Sequence, residues 1–131
     1  MSHAEETLRP FFERYAEAFE AFDAPAAAAC FAVPCLFVRD GSTEIAGDAE
    51  RVETSVRELL TLHKAWDVQT IAPAAVVLLE EAPGHVIARV DWRLGRSASK
   101  LSWSFSTTYT LVPAGEGGWR IAAALTHDAP F

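Results

Sequence analysis

The chain has 131 residues, half of them hydrophobic and 22% charged, with a formal net charge of −7. Residues 1–131 therefore suit one domain with a real core, and the composition is that of an ordinary soluble globular protein. Acids are spread through the chain and the Lys and Arg residues are scattered, which excludes nucleic acid and anionic membrane as partners because both need clustered positive charge.

The first predicted element is a helix over Glu5–Phe22. Leu8, Phe11, Phe12, Tyr15, Ala16, Phe19 and Phe22 recur at helical spacing and form one broad apolar face. Pro10 fits its first turn or else moves the start later. Asp23 then caps a short second helix with Ala26–Phe31 as its body, and Pro34 stops it. Cys35-Leu36-Phe37-Val38 reads as a short strand ended by a turn at Arg39-Asp40-Gly41-Ser42. A third helix follows over Asp48–Leu62, with Val52, Val56, Leu59 and Leu60 inward.

Four long strand-like stretches complete the chain. Ala65–Glu80 carries Pro73, a sign of an edge or a bulge. His85–Leu94 places Val86, Ala88, Val90, Trp92 and Leu94 on one face, and Gly95–Lys100 is a turn. Leu101–Pro113 alternates Trp103, Phe105, Thr107, Tyr109 and Leu111 with a row of Ser and Thr. After the turn at 114–118, Trp119, Ile121, Ala123, Leu125 and His127 share a face of the last strand. Helices segregated onto one face of a curved antiparallel sheet make an α+β fold, a cone closed over an interior cavity. Sequence leaves open which face of 85–94 and 101–112 lines that cavity, because a one-residue slip exchanges the two.

Cys30 and Cys35 are the only cysteines. They read as small hydrophobes of a protein from the reducing cytoplasm. The four histidines form no paired ligand motif with them, so we expect no metal and no cofactor. No apolar run is long enough for a membrane span.

Phe12-x2-Tyr15-x3-Phe19-x3-Asp23, the Leu36–Gly41 strand and turn, and Thr107-Thr108-Tyr109 with Gly118-Trp119-Arg120-Ile121 carry a family resemblance. Over nearly its whole length the chain resembles the nuclear transport factor 2-like (NTF2-like) superfamily. That α+β cone also hosts ketosteroid isomerases and SnoaL-like polyketide cyclases. The run Ala122–Asp128 looks like a bacterial branch with no assigned activity.

The resemblance implies two constellations, and the inward face of the 101–128 hairpin adds a third. In the isomerase pattern Tyr15 would donate to a developing enolate and Asp40 would move the proton, but Thr107 replaces the protonated acid that completes the oxyanion hole. The plainer reading packs Tyr15 in the core and gives Asp40 to the Asp-Gly turn. In the epoxide-hydrolase pattern Arg89-Val90-Asp91 would orient a water-activating carboxylate, yet the second carboxylate falls at Leu125. The plainer reading makes Arg89 and Asp91 part of a polar outer face. Finally, a pocket lined by Tyr15, Phe19, His63, Trp66, Trp103, Thr107, Tyr109 and His127 would be apolar with a few convergent polar groups. His127 would be its acid or base, or else a satisfied structural histidine.

The leading expectation is thus an apolar small-molecule binder acting as a homodimer through the outer sheet face. One alternative is a cofactor-free isomerase, cyclase or hydrolase using Asp40, Tyr15 and His127. The other is a protein-interaction scaffold with a filled cone.

Overall fold

The computed structural model describes residues 2–96 and 102–128. Helix α1, His3–Glu20, begins where the Ser2 hydroxyl accepts from the Glu5 amide. Pro10 therefore lies inside the helix and does not set its start. Leu8, Phe11, Phe12, Tyr15, Ala16 and Phe19 are buried along one face, as their spacing predicts. Phe22 is not part of that face. It follows the end of α1 with φ at 53° and stands 44% exposed.

Helix α2, Ala24–Ala28, is capped by Asp23, whose carboxylate accepts from the Ala26 amide. It ends before Phe31, because Phe31 already belongs to the next strand. That strand, β1, runs from Phe31 to Arg39, longer than its apolar core predicts. Pro34 sits within it, between the paired positions Phe31 and Leu36 where the register shifts. A proline is tolerated where the ladder is irregular. Asp40-Gly41, both at positive φ, turn β1 into β2, Ser42–Ala46, a strand the periodicity does not announce. Helix α3, Ala49–Ala65, starts at an Asp48 cap and buries Val52, Val56, Leu60 and His63.

The remaining strands are β3 (Thr70–Ala82), β4 (His85–Gly95), β5 (Ser102–Ala114) and β6 (Gly118–His127). They form the antiparallel meander that the alternation predicts. Of the expected turn Gly95–Lys100, Gly95 closes β4, while 97–100 and the strand start at Leu101 lie outside the described residues. All six strands make one sheet in the order β2-β1-β6-β5-β4-β3. The β1–β6 junction is parallel, the other pairs antiparallel. The fold is α+β, with the helices on one face of a curved sheet.

Phe12 marks the centre of the core. It is fully buried and packs against Tyr109 at 4.8 Å between ring centroids, with Trp92 and Tyr15 each at 6.1 Å. Burying such an aromatic cluster contributes more than any polar contact in the chain, at about 25 cal/mol for each Å² removed from water. Val86, Ala88, Val90, Trp92 and Leu94 all face this core, so the inner face of β4 is its apolar one. No helix among the described residues is long and apolar enough to cross a membrane.

Candidate functional site

The core does not fill the space between sheet and helices. A cavity of about 330 Å³ remains, walled by apolar side chains that include Phe19, Phe37, Leu59, Ile71, Trp92 and Phe105. Tyr15, His63, Thr107 and Tyr109 line it as well. Each is placed by an element whose period brings it inward: Tyr15 and Phe19 from α1, His63 from α3, Thr107 and Tyr109 from β5.

At one wall, the polar groups converge on a single oxygen. Trp92 Nε1 donates to the Tyr109 hydroxyl at 3.0 Å, and the Tyr15 and Thr107 side chains lie beside it. Burial pushes the Tyr109 hydroxyl up to about 12, against the pull of these polar neighbours. Burial likewise raises Tyr15 well above its ordinary value. Both phenols therefore stay protonated at any physiological pH and act as hydrogen-bond donors, not bases. His63 goes the other way: burial, helped by the nearby Arg39 charge, lowers it to about 4. It is a neutral imidazole at pH 7.

Three residues expected in the pocket do not line it. Trp66 and Trp103 pack edge-to-face against each other at 5.4 Å, and the Arg96 guanidinium lies 4.9 Å over the Trp103 ring. His127 is on the opposite side of the sheet, where its Nε2 hydrogen-bonds the Thr108 hydroxyl at 3.1 Å. The reason is a β-bulge in β6. Thr110 pairs with Ala123 but Leu111 pairs with Ile121, so Ala122 is an extra residue. Beyond it every side chain changes face. Ala124 and Thr126 line the cavity, whereas Leu125 and His127 point outward.

The acid–base constellation of Asp40, Tyr15 and His127 is thus not assembled. Asp40 sits in the hairpin turn with 62% of its side chain exposed, 3.8 Å from the Arg39 Nε. Tyr15 is buried inside and His127 is outside the sheet. Arg89 and Asp91 also belong to the outer face, 3.2 Å apart, with Ser106 donating to Asp91 at 2.7 Å. Among the described residues no group of three or more His, Cys, Asp or Glu side chains could hold a metal ion.

Sequence reasoning missed several lining residues. Arg39, Glu44, Ser55 and Thr126 supply polar atoms to the cavity. Alternation from Phe37 could have found Arg39, two residues on along the same face. Nothing local marks Thr126, since its face depends on the bulge.

A family model described as "NTF2-like protein (DUF6841)" matches residues 5–129. The chain belongs to the DUF6841 family of NTF2-like proteins. A comparison with curated proteins finds no match. Solved structures agree on the fold of this NTF2-like chain. A cystatin-like protein of unknown function from Nostoc punctiforme superposes with a TM-score of 0.77 at 10% identity, covering 99% of this chain and 94% of that one. Aln2 from a Streptomyces species gives 0.75 at 16% identity, covering 97% and 91%. An NTF2-like superfamily protein from Salmonella enterica gives 0.67 at 12% identity, covering 95% and 89%. At these identities the likeness concerns the fold alone.

Proposed function

We propose that this NTF2-like chain is a binding domain for an apolar small molecule held in the cavity, and that it works as a homodimer in the cytoplasm. One observation carries the reading: a cavity of about 330 Å³ is left open inside an otherwise close-packed core. Ligand sites are concave, mostly apolar and furnished with a few placed polar groups. The Tyr15, Thr107 and Tyr109 hydroxyls are such a group. A scaffold whose only role is its outer surface has no use for such a space, and filling it would stabilise the core.

The outer sheet face supports the dimer. Leu36 stands between Ile45 and Ala123 in the strand register, and Leu125 stands beside Thr108. Ile45 and Leu125 are 72% and 41% exposed. The Arg89–Asp91 pair neutralises its own charge, and Arg93 stands on the same face of β4 near its end, so the part of the face around Leu36, Ile45, Ala123 and Leu125 is the one a second copy would cover. Free cysteines at Cys30 and Cys35 suit a reducing compartment.

The test is a thermal-shift series with steroids, polyketide aromatics and medium-chain lipids. A ligand that binds only the native state raises the melting temperature. The substitution Ala124→Phe fills the cavity and should abolish the shift. If no class shifts the wild type, or Ala124→Phe shifts equally, the binding reading fails.

A further inference from the structure

A second cleft, of about 310 Å³, opens where α1 meets the start of β6. It shares no lining residue with the cavity. Two features of the backbone build it. A Cβ on Gly118 would fall 2.6 Å from the Ala114 carbonyl oxygen, so the β5–β6 turn closes this tightly only with glycine there. Strand β1 begins at Phe31, opposite Ile121, which leaves the first residues of β6 without a neighbour on that side. Ile121 donates its amide toward that side, to the Cys30 carbonyl at 2.8 Å. Amides point alternately to the two sides of a strand, so the Trp119 amide is directed the same way, at the open edge beside the cleft. Pro113, its partner on β5, has no N–H to exchange with it.

The arginines single this cleft out. Arg9 and Arg96 donate to backbone carbonyls, and Arg39, Arg51, Arg57 and Arg89 stand in ion pairs. Arg14, Arg93 and Arg120 make no ion pair among the described residues, and two of these three, Arg14 from α1 and Arg120 from β6, line the same cleft. No carboxylate lines it with them. Like charges drawn to one place repel unless an anion joins them, and a guanidinium grips phosphoryl or carboxylate oxygens through its planar fork. The remaining walls are apolar. Phe11 and Trp119 line the cleft, and the indole is held in place by its N–H, which donates to the Thr7 hydroxyl at 2.9 Å.

We propose that this cleft binds an organic phosphate monoester, with the phosphoryl group between Arg14 and Arg120 and the apolar body against Phe11 and Trp119. Two guanidiniums and no lining carboxylate match a dianion, which a phosphate monoester is above its second pKa of about 6. The Trp119 amide adds a neutral donor on the same side. The space corresponds to about ten water-sized groups, which sets the scale of the ester at that of phenyl phosphate. The site is separate from the apolar cavity and does not depend on what the cavity holds.

The experiment is an amide NMR titration of the full chain at pH 7.5 with phenyl phosphate and, separately, phenol. The wild type should bind phenyl phosphate at least about tenfold more tightly than phenol, since a charge-assisted bond adds roughly this much, and the Trp119 amide resonance should move. Arg14→Gln and Arg120→Gln should each weaken phenyl phosphate by about tenfold. Both side chains are exposed, so the dispersion of the spectra should stay that of the folded chain. Ala124→Phe, which fills the cavity, should leave the phosphate affinity unchanged. Equal binding of the two probes, or no binding of phenyl phosphate, overturns the inference. An affinity that neither arginine substitution alters overturns the assignment to this cleft. Loss of phenyl phosphate binding in Ala124→Phe places the ligand in the cavity and overturns the inference while leaving the small-molecule reading standing.

Discussion

His127 and Thr108 are diagonal neighbours on the β5–β6 ladder, where His127 stands opposite Ser106 and Thr108 opposite Leu125, and they are hydrogen-bonded at 3.1 Å on the side of the sheet away from the cavity. Thr107 and Thr126, one residue before each of them, pair across the same ladder and face inward. The two pairs divide the end of the hairpin between an outer surface and an inner wall. That division follows from one extra residue, Ala122.

Deleting Ala122 should therefore exchange the faces of the residues that follow it. His127 and Leu125 would turn inward and Thr126 outward, so a polar ring meets an apolar wall. We expect a loss of about 2–4 kcal/mol, read as a fall in melting temperature of roughly 10 °C. An unchanged melting temperature would show that the end of β6 has no preferred register.

The hydroxyl of Tyr109 is the acceptor of the buried Trp92 N–H. Tyr109→Phe keeps the ring and its packing on Phe12 but leaves that donor without its acceptor. The expected cost is about 1–3 kcal/mol, measured by urea unfolding with an unchanged slope. A neutral result would mean that water or another group takes over the bond.

The depressed His63 makes stability depend on pH in a definite direction. In the unfolded chain the imidazole titrates near 6.5, while in the fold burial and Arg39 bring it to about 4. Between those values the unfolded state binds more protons, so stability rises with pH. The contribution is complete above about pH 6.5 and lost by about pH 4. It amounts to about 3 kcal/mol over that range. Urea midpoints between pH 4 and pH 7 should show this limb in the wild type and a flatter one in His63→Leu. Equal slopes in both proteins would assign the acid sensitivity to the carboxylates instead.

Leu125 tests the outer face. Leu125→Arg places a charge in the centre of the proposed self-contact, next to its own symmetry-related or neighbouring copy. We expect self-association to weaken by about a hundredfold, visible as a shift from dimer to monomer in sedimentation velocity. Far-UV circular dichroism should stay the same, because the side chain is outside the core. A wild type that sediments as a monomer at all concentrations would remove the dimer from the proposal.

Much of the architecture was legible in the chain itself. The three- and four-residue spacing of Leu8, Phe12, Tyr15 and Phe19 specifies a helix with one buried face, whatever it packs against. The strict alternation of 101–112 likewise specifies a strand, and its aromatic face is the one found inside. These signals are local, since each records the period of one element. Tyr15, Phe19, His63, Thr107 and Tyr109 could be picked out because they sit on such faces.

What the tertiary structure decided was non-local. The parallel docking of β1 on β6 puts Arg39 beside Thr126, and no property of either segment alone contains that pairing. The bulge at Ala122 is likewise invisible in an alanine run, because it arises from how β6 matches β5 on one side and β1 on the other. Alternation names two faces without saying where a strand slips between them. A single residue of slip moved His127 out of the cavity and Thr126 into it, and with them the chemistry the cavity can offer.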